Sequence, residues 1–195
     1  MTGSWNLKWG EHSHFVLTFG NDDKKEKLFF DDIRNFGTIK ISFGTDNLLD
    51  KKLNSIGKPW LNDERKPGIT EIEFIDLLNK YDSQNICCFL INQKYISGIG
   101  NYLLSEVLYS SKINPWTDIK DISNGIRILL YNEILRIIQE SYNLDGVSIR
   151  DYHGLDGQQG EFQNNLNVYQ KKIDPNGISV IKKIGPHKRS IHYIC

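Results

Sequence analysis

Residues 93–109 read QKYISGIGNYLLSEVLY, and the chemistry in this stretch gathers at a turn. Gly98 and Gly100 let the backbone take a positive φ or approach a neighbouring strand of chain closely. Asn101 then opens an apolar segment with helical spacing, and the first amides of a helix have no intrahelical acceptor. A helix end of this kind, with a side-chain amide beside it, can hold an anion such as a phosphate. The same residues also fit an ordinary helix–helix turn with Asn101 as a cap, and the turn alone leaves both readings open.

Other reactive side chains are present without an organising pattern. Lys8, Glu11, Glu26, Lys66 and Glu71 are available for acid–base work, but no spacing pairs them, and solvated surface charge accounts for them better. Asp174, His187, His192 and Cys195 are potential metal donors whose mixture and spacing differ from the paired Cys and His ligands of structural zinc. No metal, cofactor or catalytic residue is assigned.

The elements that would position the turn can be read from periodicity. HFVLTFG, a polar NDDKKE and KLFFDD form a hairpin signal, and FGTIKISFG over residues 36–44 alternates as a third strand. Three strands in a meander leave a sheet face without a partner layer, so its cover must come from elsewhere in the chain or from a partner. Pro59, Pro67 and Gly68 among charges place a boundary near residues 57–70. Thr70 with Glu73 makes a capping box before FIDLLNKY, and Asp82 or Ser83 is the expected cap for NICCFLINQ. A helix is expected from Asn101 to about Ser110. A longer one, from Ser123 to about Tyr142, carries Ile126, Leu130, Ile134, Ile137 and Ile138 at helical spacing, broadened by Leu129 and Leu135. Beyond a Gly-rich loop, NLNVYQKK and GISVIKKIG read as short strands, with KRSIHYIC as a third.

Charge is balanced overall, with 24 basic and 24 acidic side chains, but it is unevenly placed. Residues 168–195 hold Lys171, Lys172, Lys182, Lys183, Lys188 and Arg189 against Asp174 alone, so positive charge collects at the C-terminal end. The three cysteines, Cys87, Cys88 and Cys195, fit an intracellular, reducing compartment better than a disulfide scaffold. No segment has the length and apolarity of a membrane-spanning helix, and MTGSWNLKWG lacks the pattern of a secretory leader.

The stretch INQKYISGIGNYLLSEVLYSSKINP resembles the helix-two-turn-helix motif of the formamidopyrimidine-DNA glycosylase and endonuclease VIII family, with Gln93, Gly98, Gly100, Asn101, Tyr102, Glu106 and Pro115 at motif positions. FFDDIRNFG resembles the end of that family's N-terminal β-sandwich. Residues 145–172, with their Arg-Asp-Tyr element, resemble its linker into a terminal finger. The ICCFLINQ wording looks closer to the eukaryotic endonuclease VIII-like proteins than to the common bacterial form. The resemblance implies a DNA-phosphate contact at Asn101 and another at Arg189 in the finger. It also implies a loop probing duplex DNA, with Arg34 against the estranged base and Phe36 as a wedge, and with Met1 helping to fill the gap left by an extruded base. Asp32 would orient that loop. A position where the family often carries a phosphate-contacting Lys falls on Cys87.

The start of the chain departs from the family, whose enzymes attack the damaged nucleotide with an N-terminal amine, usually Pro followed by Glu. MTGSW instead resembles an internal stretch, so the resemblance implies an N-terminally truncated form. The resulting reading is an α+β chain: residues 1–57 a truncated β-sandwich remnant, 58–69 a linker, 70–158 the helix-two-turn-helix domain, and 159–195 a zincless β-hairpin finger. Its expected partner is double-stranded DNA, damaged or abasic, bound by a monomer without a membrane. The expected function is that of a DNA-binding homologue of base-excision-repair glycosylases for oxidised bases. The alternatives are an active bifunctional DNA glycosylase and AP lyase, through an unconventional nucleophile or a preceding segment, and a noncatalytic interaction scaffold.

Overall fold

A computed structural model describes residues 3–21, 24–41, 47–62, 67–144, 146–147 and 161–195. An antiparallel sheet comes first, with β1 (Gly3–Asn6) and β2 (Ser13–Gly20) flanking the central β3 (Lys25–Asp32). Phe15 faces Phe30 and Val16 faces Phe29 in the β2–β3 register, with an irregularity between Ser13 and Phe15. The Trp5 ring lies 5.0 Å from Phe30 and 6.3 Å from Phe15, a cross-strand aromatic cluster that holds the register. The hairpin is as expected, but the third strand is β1 and not residues 36–44. Residues 37–41 are in no strand, and residues 42–46 lie outside the described residues. The Asp32 carboxylate accepts from the amides of Arg34 and Gly37, so the chain folds back after β3 and those donors are lost to a ladder. Val16, Leu17 and Phe19 of the sheet and Trp9 of the β1–β2 connection remain exposed, which is the uncovered apolar surface the three-strand pattern implies.

A short helix that the sequence pattern did not reveal, α1 (Leu48–Asn54), precedes a second unit. There β4 (Lys58–Pro59) pairs in parallel with β5 (Ile96–Ser97). The helices are α2 (Glu71–Lys80), α3 (Ile86–Leu90), α4 (Asn101–Ser110) and α5 (Asn124–Asn143). Thr70 closes the expected capping box on α2: its hydroxyl accepts from the Glu73 amide at 3.3 Å, and the Glu73 carboxylate accepts from the Thr70 amide at 3.0 Å. Asn85, and neither Asp82 nor Ser83, caps α3. Its side-chain oxygen receives the Cys87 and Cys88 amides while its nitrogen donates to the carbonyls of Pro115 and Thr117.

Phe74, Leu78, Phe89, Leu90, Leu104, Leu108, Leu130 and Ile134 form one buried core. Each fully buried Leu, Ile or Phe contributes roughly 1.5–3 kcal/mol. The expected α5 stripe faces this core, except that Leu129 is partly exposed. Arg127, also on α5, is buried and donates to the carbonyls of Ile119 and Ile122 and to the Asn79 side chain. A buried guanidinium is tolerated because its donors find acceptors.

The C-terminal finger is a hairpin of β6 (Ile181–Ile184) and β7 (Ser190–Tyr193). Residues 165–172 are not the strand their alternation predicts, because they cross α4 and bind its Glu106. That carboxylate, 1% exposed, accepts from the amides of Asn167, Val168 and Tyr169 and from the Asn167 side chain. Further along α4, the Tyr109 hydroxyl donates to Asp174 at 2.9 Å, and Asp174 also accepts from the amides of Asn176 and Ile178. Burial pushes the Asp174 pKa up, but the donors from Ile178, Tyr109 and Asn176 outweigh it and hold the carboxyl below its usual range.

Three outcomes follow. Thr70→Ala should cost about 1 kcal/mol in denaturant unfolding, through loss of the α2 cap. Glu106→Gln should cost about 2 kcal/mol or more in the same measurement, because a side-chain NH₂ would face backbone donors. The lowered Asp174 pKa contributes stability above the ordinary carboxylate range that is lost as pH falls through the folded value. The Ile178 amide resonance should therefore hold its position at neutral pH and move below about pH 4.

Candidate nucleic-acid interface

The turn before α4 is built by Gln93. Its side-chain oxygen accepts from the Gly98 amide at 2.8 Å, and its nitrogen donates to the Ile99 carbonyl at 2.8 Å. Gly98 has a φ of 114°, which explains the glycine there. Gly100 occupies the N-cap with extended backbone and supplies no side chain, so no side chain caps α4. A Cβ at Gly100 would meet no atom within 4 Å, so the space beside the helix end is open. The resulting geometry suits an anion, because backbone donors and the positive end of the helix dipole point the same way.

Asn101 stands at this end and is fastened to the finger. Its amide nitrogen donates to the Ser190 carbonyl at 2.8 Å, and its amide oxygen lies 3.1 Å from His187 Nε2. Arg189, on the same hairpin turn, is exposed, as are Lys182, Lys183 and Lys188. Asn101 and the Arg189 segment are thus brought together across 88 positions of sequence by a direct contact to the adjacent Ser190. Two participants, the Ser190 carbonyl and His187, were not identified from the sequence. A main-chain acceptor leaves no mark on residue type, and a lone histidine has no spacing signal.

The Asp32–Gly37 turn gives Arg34 and Phe36 a defined place. Asp32 is buried, and its carboxylate receives the Gly37 amide at 2.5 Å and the Arg34 amide at 3.2 Å. The bond from Gly37 is the leading cause that holds the Asp32 pKa below its usual range. A Cβ at Gly37 would stand 2.8 Å from the Asp32 carboxylate, so this close approach needs glycine. Asp32 therefore orients the loop, as the sequence suggested. Asn35 adopts a φ of 53° at the apex, and Phe36 is 83% exposed, which removes it from any core role. Arg34 is exposed at the same turn.

Met1 lies outside the described residues, as does the Arg-Asp-Tyr element at 150–152. Cys87, where the family often carries a phosphate-contacting Lys, is fully buried in the core, with its thiol donating to the Pro115 carbonyl. Burial pushes that thiol up to about 12, so it is inert as well as out of reach. The finger's potential metal donors are separated, with Asp174 held by Tyr109, His187 beside Asn101, and His192 packed on Tyr169. Among the described residues no group of three His, Cys, Asp or Glu side chains is placed to share a metal.

Residues 66–153 match the formamidopyrimidine-DNA glycosylase H2TH domain. The chain is 35% identical over 191 residues to a formamidopyrimidine-DNA glycosylase of Mycoplasma mobile, covering 94% of this chain and 66% of that protein. It is 32% identical over 192 residues to one from Solibacter usitatus, covering 94% of this chain and 65% of that protein. It thus spans slightly less than two thirds of the length of these curated relatives. Its fold overlays the Lactococcus lactis Fpg in complex with DNA containing an abasic site, with a TM-score of 0.80 and 29% identity, over 100% of this chain and 70% of that one. The glycine turn before α4, the mixed α+β order with β-elements at both ends, and these matches along nearly all of the chain establish that it belongs to the formamidopyrimidine-DNA glycosylase and endonuclease VIII family.

Proposed function

We propose that this chain binds double-stranded DNA, damaged or abasic, as a DNA-gripping homologue of the base-excision-repair glycosylases that act on oxidised bases. The observation that carries the reading is the union of the open α4 N-terminus, Asn101 and the Arg189 turn in one connected corner. One backbone phosphate would sit there, held by helix amides, the second hydrogen of the Asn101 amide and a guanidinium fork. These contacts position a duplex without reading its sequence. Phe36, exposed on a loop fixed by Asp32, would enter the base stack, and Arg34 would meet the base left without its partner. Met1 would help fill the same gap. In this division of labour residues 1–57 probe the stack, 70–158 and 159–195 grip the backbone, and 58–69 join them. A monomer suffices. The free state of Cys87, Cys88 and Cys195 supports action in a reducing compartment with access to DNA.

The curated relatives are glycosylases, and this supports a second reading in which the whole protein is a bifunctional DNA glycosylase and AP lyase. That chemistry needs an amine attacking the sugar carbon to give a Schiff base. Borohydride trapping on abasic duplex separates the readings. The gripping-only reading predicts binding without a covalent adduct, whereas an adduct mapped to an amine would establish the second. Arg189→Ala should weaken duplex binding roughly tenfold, alike across sequences, and lower the slope of log affinity against log salt by about 1. Unchanged affinity and slope on titration would remove Arg189 from the grip.

A further inference from the structure

His187 is wedged between the Asn101 amide and the rest of the finger turn, and its protonation state can be deduced from its neighbours. The Ser190 carbonyl can only accept, so the Asn101 amide nitrogen must face it and the amide oxygen must face His187. The Nε2 atom of His187 therefore carries a proton, and Nδ1 is the bare nitrogen that can take a second one. This Nδ1 is buried and has no hydrogen-bond partner. Gly185 makes room for the ring, since a Cβ there would stand 3.0 Å from it.

The charges around the ring all oppose a second proton. Arg189 lies two residues on and Lys188 is adjacent in the same turn, while α4 offers the neutral Asn101 amide and has no acid in its first turn. Glu106, further along that helix, is taken up by the amides of residues 167–169. Burial first, and the Arg189 charge second, hold the His187 pKa below its ordinary value. A phosphate at Asn101 and Arg189 would reverse this balance, compensating the guanidinium and adding a negative charge close to the imidazole.

We propose that His187 is a third group of the phosphate site, taking a proton from solvent onto Nδ1 when a DNA phosphate binds at Asn101 and Arg189. This rests on the duplex-binding function proposed above. The bound-state pKa then exceeds the free-state value. The added affinity is complete below the free-state pKa and is lost as pH rises through the bound-state one. Each unit of that rise is worth about tenfold in affinity.

The test is the pH dependence of binding to a short duplex with a stable abasic-site analogue, from about pH 5.5 to about 8.5 at fixed ionic strength. His187→Gln is the comparison, because its side-chain nitrogen can still donate to the Asn101 oxygen but does not titrate. On acidification the unaltered chain should gain roughly three- to tenfold more affinity than the variant, and the two should bind alike at the alkaline end. Coincident pH profiles would overturn the proposal while leaving duplex binding intact. So would loss of binding by the variant at every pH, the mark of a purely structural histidine. No binding by the unaltered chain at any pH would overturn the duplex-binding function as well.

Discussion

The buried carboxylate of Glu106 is the constraint on which the arrangement depends. A carboxylate 1% exposed is strongly destabilising unless donors surround it, and here the amides of Asn167, Val168 and Tyr169 do so. Satisfying it fixes where the chain crosses α4 on its way into the finger. From that crossing the hairpin returns along the same helix, with the His192 amide on the Ser105 hydroxyl and the Ser190 carbonyl on Asn101. Tyr109 fastens the far end through Asp174. One ten-residue helix thus carries the finger along its length and keeps its own N-terminus open beside it.

This arrangement would give a chain with no net charge a local affinity for anions. The turn that carries Lys188 and Arg189 is fastened beside a helix end whose dipole has the same sign, so positive potential gathers there. The finger needs no large core of its own, because polar contacts to α4 hold it: Glu106 at the entry, Asp174 at the first turn and Asn101 at the second. The N-terminal sheet differs, with Val16, Leu17 and Phe19 left exposed, as is Trp9 of the β1–β2 connection. Its Asp32 turn is closed by hydrogen bonds to the carboxylate, and that turn presents Arg34 and Phe36.

Helical periodicity and the cap of α2 were legible in the sequence, whereas the α3 cap, Asn85, was not. The bounds of α4, the capping box of Thr70 and Glu73, and the core face of α5 agree with their patterns to within a residue or two. Two segments with strand-like alternation, 36–41 and 165–172, are not strands, and the reason is common to both. In each a buried carboxylate, Asp32 or Glu106, takes amides that a ladder would need. Alternation records which side chains face apart. It does not record where the backbone donors go, and a carboxylate 61 residues away is invisible to a local pattern. The same limit hid the link between Asn101 and Ser190. The turn announced Asn101 through Gly98 and Gly100, whereas its partner contributes only a carbonyl.

Whether α4 and the finger form one phosphate-binding corner is decided by a crystal structure of the chain with an abasic duplex. A single backbone phosphate should lie within hydrogen-bond distance of both the α4 N-terminal amides and the Arg189 guanidinium, with the Glu106 and Asp174 bonds intact. A duplex seated elsewhere, with Asn101 and Arg189 facing solvent, would contradict it.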